Sequence, residues 1–277
     1  MCKLSVPIAK RFCLISIMIA FMICFWSIPV QSATLTVTSS NDSGAGTLRA
    51  AIDSAAAFGD TIVFSTDCTV MLGTQYAISK DLTIDGSGHK IVLDGHGFTR
   101  VFYVNAGYTL TLKNLTMYRG YSGSATSDGG GGILNKGHLT VSGCYFNENY
   151  AGWNGGAILS SGTPTSSSSI TNCTFYKNSA QYGGAVYLID GTHTVTNCTI
   201  YDNHASHLGG GLHWDAYGSY TIKNSIIAGN TDPNAAGHNC YGYGSGPGGT
   251  SNLTDDSSCP GSIFSQVPYV LLGSLPN

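Results

Sequence analysis

The feature that most constrains this chain is its self-similarity. Slid against itself, the 277-residue sequence realigns every 25 to 29 residues. Four segments begin at Gly130, Gly155, Gly183 and Gly209, spaced 25, 28 and 26 residues apart. Each opens with a glycine doublet followed by apolar residues, as in Gly155-Gly156-Ala157-Ile158 and Gly183-Gly184-Ala185-Val186. Each closes on a short core motif: Cys144-Tyr145-Phe146, Cys173-Thr174-Phe175, Cys198-Thr199-Ile200 and Ser225-Ile226-Ile227. Weaker copies run from Leu110 to Met117 and from Leu82 to Leu93. A period of this size belongs to stacked repeat architectures.

Two columns describe the repeat. Asn114, Gly143, Asn172, Asn197 and Asn224 precede the closing motif, and Gly120, Asn149, Asn178, Asn203 and Asn230 follow it. Glycine and asparagine enter the left-handed αL region at least cost, so the sequence predicts a sharp bend at both columns. Between the bends, apolar residues recur at period 2, as in Leu139 and Val141, then Cys144 and Phe146. Three short strands per repeat describe one coil of an all-β, parallel β-helix. One coil offers roughly five inward side chains worth about 1.5–3 kcal/mol each. Ordering its ~25 residues costs on the order of 1.5 kcal/mol per residue. Coils are therefore stable only as a stack. Six or seven coils are expected over residues 61–230.

The ends of the chain have their own signatures. Residues 1–33 read as a secretory signal: Lys3, Lys10 and Arg11 precede an apolar run, and Val30-Gln31-Ser32-Ala33 closes it with small residues. Cleavage after Ala33 would leave 244 residues, six of nine cysteines, and nine basic against fifteen acidic residues, a charge of −6. No later stretch reaches the ~20 apolar residues of a membrane helix, so the mature chain is expected to be exported, into a space where disulfides persist. Residues 34–60 supply a strand at Thr34–Thr38 and an amphipathic helix over Thr47–Phe58, which would cap the open end of the first coil. Residues 231–277 read as a Gly-rich tail stapled by a disulfide between Cys240 and Cys259, while Cys144, Cys173 and Cys198 form an inward column of thiols.

These repeats resemble the right-handed parallel β-helix of secreted bacterial surface proteins. Gly155–Ile158 and Gly183–Val186, with Phe146-Asn147-Glu148-Asn149 and Phe175-Tyr176-Lys177-Asn178, are similar to repeats of polymorphic outer-membrane proteins. The segment from Asn41 to Ile52, containing Thr47-Leu48-Arg49, resembles the head of a related set grouped with pectin lyase-like folds. Asn224–Asn230 and Asn252–Cys259 fit the same set. The resemblance spans residues 34 to 275 and implies right-handed coils, export and a cell-surface location. The fold hosts both enzymes and adhesins, so it does not by itself assign an activity.

Side chains suited to catalysis are scarce. Charged residues are 10% of the chain and Glu148 is its sole glutamate. The acidic mature balance argues against nucleic acid as a partner. His204, His207 and His213 gather around one bend, but without a paired-ligand motif such as H-E-x-x-H, so neither a metal nor another cofactor is expected. Gly95-His96-Gly97 is similar to a motif of β-helical polygalacturonases, yet its companion motifs are missing from their places and it reads as a turn. Arg49, Arg100 and Arg119 have no acidic cluster beside them in sequence. Outward positions after the doublets are Leu134 and Lys136, Leu159 and Ser161, Tyr187 and Ile189, then His213 and Asp215. His213 and Asp215, two apart on one strand side, form the one candidate acid–base pair, for a polysaccharide lyase or glycoside hydrolase acting on that face. The main expectation is non-catalytic: an adhesin-like or glycan-contacting module, with Trp153, Tyr182, Tyr187 and Trp214 as candidate ligand residues and a polysaccharide or cell-surface component as partner. Finally, Glu148, Lys177, Asp202 and Gly229 precede the second column on consecutive rungs, alternating in sign as register control would.

Overall fold

The computed structural model describes residues 32–56, 58–123, 129–162, 165–233, 239–244 and 246–267. All but the last two residues of the expected signal, and the end of the expected tail, lie outside the described residues. Among those described, no helix is long and apolar enough to cross a membrane.

The chain winds as a parallel β-helix of about eight turns. One turn shows the plan. Ile133–Asn135 runs in sheet C, His138–Ser142 in sheet A, Tyr145–Asn147 in sheet B and Tyr150–Ala151 in the short sheet D. Sheets A and B hold nine strands each, sheet C seven and sheet D four among the described residues. Equivalent residues pair across coils: Leu139 with Leu110 and Ser168, Phe146 with Met117 and Phe175. Identical positions therefore bury against each other, and the Phe146 and Phe175 rings stack 4.7 Å apart with planes 8° from parallel.

The first bend column behaves as its composition predicts. Asn114, Asn172, Asn197 and Asn224 take φ of 53°, 54°, 53° and 50°, and Gly143 takes 63°. The second column does not. Its αL residue lies one position earlier, at Arg119, Glu148, Lys177, Asp202 and Gly229, with φ from 46° to 64°. Asn149, Asn178, Asn203 and Asn230 point inward instead and are buried. Asn is selected there for hydrogen bonding. Asn178 Oδ1 accepts from Asn149 N at 3.0 Å, while Asn178 Nδ2 donates to the Phe146 carbonyl at 3.0 Å. A short amide can satisfy the inside of the turn, on both sides of the rung, in this way.

Two further expectations change. The coils outnumber the six or seven expected, because residues beyond 230 keep adding rungs. Cys240–Gly242 joins sheet C, Gly248–Thr250 joins sheet A, and Asn252–Thr254 and Phe264–Gln266 join sheet B. Glycines hid this from the period-2 signal, since a rung can pair through backbone alone. Gly249, at φ 143°, lies so near the Ile222 carbonyl that a Cβ would come within 1.7 Å of its oxygen. The disulfide Cys240–Cys259 is present, and Cys68, Cys144, Cys173 and Cys198 are free.

The helix, α1, spans Leu48–Ser54 and is shorter than Thr47–Phe58. Thr47 caps it, accepting from Ala50 N at 3.2 Å, and Leu48, Ala51 and Ile52 are buried. It stops because buried Asp60 captures Ala56 N at 2.6 Å and Ala33 N at 2.7 Å, pulling the chain into the strand Phe58–Phe64. Thr34–Val37 pairs on that strand as the outermost rung of sheet A.

Candidate functional site

The outward column of sheet C carries Tyr103, Leu134, Leu159, Tyr187, His213 and Tyr241 on successive rungs. Outward does not mean exposed here. Leu134, Leu159 and His213 are all buried, because the doublet segments fold back over the sheet. Gly130, Gly155 and Gly183 sit at φ 57° to 65°, which lets that backbone turn tightly onto the column.

This covering assembles an aromatic wall. Trp153 packs against Tyr182 at 5.9 Å, and His207 stacks on Tyr182 at 5.4 Å. Behind them, His213 lies 5.8 Å from Tyr182, 4.3 Å from Tyr187, 5.4 Å from Tyr241 and 5.9 Å from Tyr243. Three of the four expected aromatics therefore meet. Trp214 does not join them. It alternates inward with Leu212, is 4% exposed, and lies against Gly242, where a Cβ would come within 2.1 Å of its ring. His207, which the sequence groups only with the other histidines of one bend, and Tyr241 and Tyr243 from beyond the regular repeats complete the wall. The three histidines also separate: His204 bonds Thr231 at 3.0 Å, His207 faces outward on Tyr182, and His213 is enclosed.

The enclosure decides what His213 can do. Neither ring nitrogen has a hydrogen-bond partner of good geometry. Burial pushes its pKa down to about 4, weakly opposed by the Leu208 backbone and the Asp215 charge. The imidazole is thus neutral above that pH. Asp215 turns to its own chain, its Oδ1 accepting from Ala216 N at 2.7 Å, and no hydrogen bond joins it to His213. Burial likewise pushes the Tyr187 phenol up.

A second constellation lies on sheet B. Asp94, 4% exposed, is ion-paired with Arg119 from the next coil, and its Oδ1 also accepts from His96 N at 2.7 Å. Arg119 Nη2 approaches His96 Nδ1 at 3.3 Å, and the guanidinium lies 4.6 Å from the Tyr118 ring centre. Gly95-His96-Gly97 is a turn, with His96 at φ 55°. Arg49 is likewise paired, to Asp42 at 2.7 Å. Arg100 is buried among carbonyls of Gly129 and Gly130. Of the three arginines, Arg119 acquires its carboxylate across coils, 25 residues from Asp94. Beside this cluster runs an open groove of about 700 Å³, floored by Val92, Thr116 and Tyr145.

No curated protein matches the sequence. Among solved structures, the fold is similar to that of Jun a 1, the major allergen from cedar pollen, at 14% identity over 90% of this chain and 83% of that one, with a TM-score of 0.45. The family described as "Right handed beta helix region" matches residues 70–227, more than half of the chain and the stretch that holds the regular coils. The protein therefore belongs to the right-handed β-helix family.

Proposed function

We propose that this protein is an exported β-helix that works at a cell surface by holding glycan against its aromatic wall, without bond-breaking chemistry of its own. The observation that carries the reading is the convergence of Trp153, Tyr182 and His207 on one surface, with Tyr243 exposed beside them. Flat aromatic faces present apolar area to sugar rings at low cost in conformational entropy. The enclosed, neutral His213, with Asp215 turned to Ala216, offers no assembled acid–base pair on this face. The low charge of the chain also suits a polar, hydroxyl-rich partner better than a polyelectrolyte.

The test is retention of the protein by a panel of acidic and neutral polysaccharides, combined with an assay for new reducing ends and unsaturated products. Retention without products, weakened in Trp153→Ala and Tyr182→Ala, is the expected result. Release of products by the purified protein would overturn it and favour a lyase or hydrolase.

A further inference from the structure

We propose that the groove on the outer face of sheet B is a second binding site, built for an uncharged, hydroxyl-rich chain such as a neutral oligosaccharide. The inference shares its ligand class with the glycan reading above, but it rests on a different face and different residues.

The groove follows the coil axis. Its floor column runs through Thr69, Val92, Thr116, Tyr145 and Thr174, paired in register from rung to rung. Five rungs at ~4.8 Å spacing give a trough on the order of 19 Å long, room for several sugar rings in file. The floor mixes an aromatic face, a β-branched apolar side chain and threonine hydroxyls, a lining suited to a ring with apolar and polar faces.

Gly143 opens the lip. Every other copy of the first bend column from Asn114 to Asn224 is asparagine, and Gly143 alone has no side chain. The Asn114 amide leans into the vacated space, its Oδ1 within 2.4 Å of where a Cβ on Gly143 would stand. An αL bend does not require glycine at this place, since asparagine adopts it at Asn114 and Asn172. The departure from asparagine therefore changes the surface and leaves the backbone as it was.

The charges around the trough balance in sign. Asp94 is held by Arg119, and Arg119 is stacked on Tyr118. Lys90 and Glu148, which also line it, carry opposite signs. An anionic or cationic chain would meet no excess of counter-charge, whereas hydroxyls can bond to ions of either sign and to amides.

One polar atom in the lining has no partner. Asn147 Oδ1 is buried and unbonded, although Asn147 sits on the groove between Tyr118 and Tyr176. A buried acceptor left unpaired is costly, and turning the Asn147 side chain out to the trough would let a ligand hydroxyl donate to it and remove that cost.

Two substitutions in the full chain test the site, read by calorimetric titration with neutral oligosaccharides and with oligogalacturonate. Gly143→Asn restores the residue used by the other bends and fills the lip, so the melting temperature should hold while the groove's share of neutral binding is lost, one site fewer per chain. Asn147→Ala removes the unpaired acceptor, so stability should hold or rise while Kd rises about tenfold, the scale of one hydrogen bond. Trp153→Ala should leave this binding unchanged. A number of neutral-binding sites per chain that is unchanged by Gly143→Asn, or oligogalacturonate bound in preference, would overturn the groove as a site. If Trp153→Ala alone abolishes binding, the groove proposal fails while the aromatic-wall reading stands. If Trp153→Ala changes nothing and Gly143→Asn abolishes all binding, the aromatic-wall reading fails and the groove stands.

Discussion

Asn178 Oδ1 accepts two hydrogen bonds from Asn149, one from its backbone N at 3.0 Å and one from its Nδ2 at 2.9 Å. The same relation repeats between Asn203 and Asn178 and between Asn230 and Asn203, so each amide stitches two coils together inside the turn. Asn239 extends the column one step further, accepting from Asn230 N and Nδ2 at 3.1 and 2.9 Å.

Asn178→Ala should be among the most damaging single changes in the protein. It removes the partner of the Asn149 N–H and the Asn178 Nδ2 donor to the Phe146 carbonyl, and leaves Asn149 Nδ2 only its bond to the Met117 carbonyl, at roughly 1–3 kcal/mol for each buried group left unpaired. Urea denaturation, compared with the exposed Asn172→Ala, checks this: the Asn172 variant should lose far less.

Stability should fall on acidification below neutral pH, through His213. Its pKa is depressed to about 4 in the fold against 6.5 in the unfolded chain. The unfolded state therefore binds the proton first, and stability, full above pH 6.5, is lost as pH drops towards 4, by on the order of 3 kcal/mol. Buried His193, also depressed by desolvation, adds in the same direction. Thermal melts of His213→Phe should show a flattened pH dependence across this window; an unchanged slope would exclude His213 as its source.

The alternating charges at the second bend make a salt-dependent prediction. Lys177 shares its αL position with Glu148 and Asp202 on the adjoining rungs, and its Nζ lies 4.9 Å from the Tyr176 ring centre. Glutamate already occupies this backbone conformation at Glu148, so Lys177→Glu changes charge with little change in strain. Its melting temperature should drop at low ionic strength through three successive negative charges, and the drop should shrink as salt is added. A melt equal to the parent in dilute buffer would mean that the ladder has no energetic role.

Thiol chemistry should divide the cysteines. Burial pushes Cys144 up to about 12, and Cys173 is raised by its Cys198 neighbour and by burial, so both stay unreactive while folded. The Cys240–Cys259 bond closes a separation of 19 residues. Its removal by Cys240→Ser with Cys259→Ser should cost about 3 kcal/mol in the loop-entropy account. Peptide mapping of unreduced protein and melts with and without reductant measure both outcomes.

The sequence alone was enough to determine the coil, because the coil is local. A glycine doublet, a period-2 run, an Asn bend and a Cys or Leu closing motif recur within ~25 residues, and any chain with that recurrence can bury its apolar residues only by stacking. Cys240 and Cys259 were legible for a similar reason, as two cysteines close in sequence beyond the regular repeat. What sequence could not decide is what lies between coils. Arg119 meets Asp94, and Asn149 meets Asn178, only because register places residues 25 and 29 apart on adjoining rungs. The role of the second Asn column turned on whether a side chain faces in or out, and composition cannot tell an amide that eases a bend from one that bridges rungs. His213 and Trp214, neighbours on one strand, part to opposite sides of the sheet, and both are buried, one under the folded-back doublets and one in the core against Gly242. Burial is set by whatever covers a face, and for this chain the cover comes from the turns, whose path over sheet C only the tertiary structure defines.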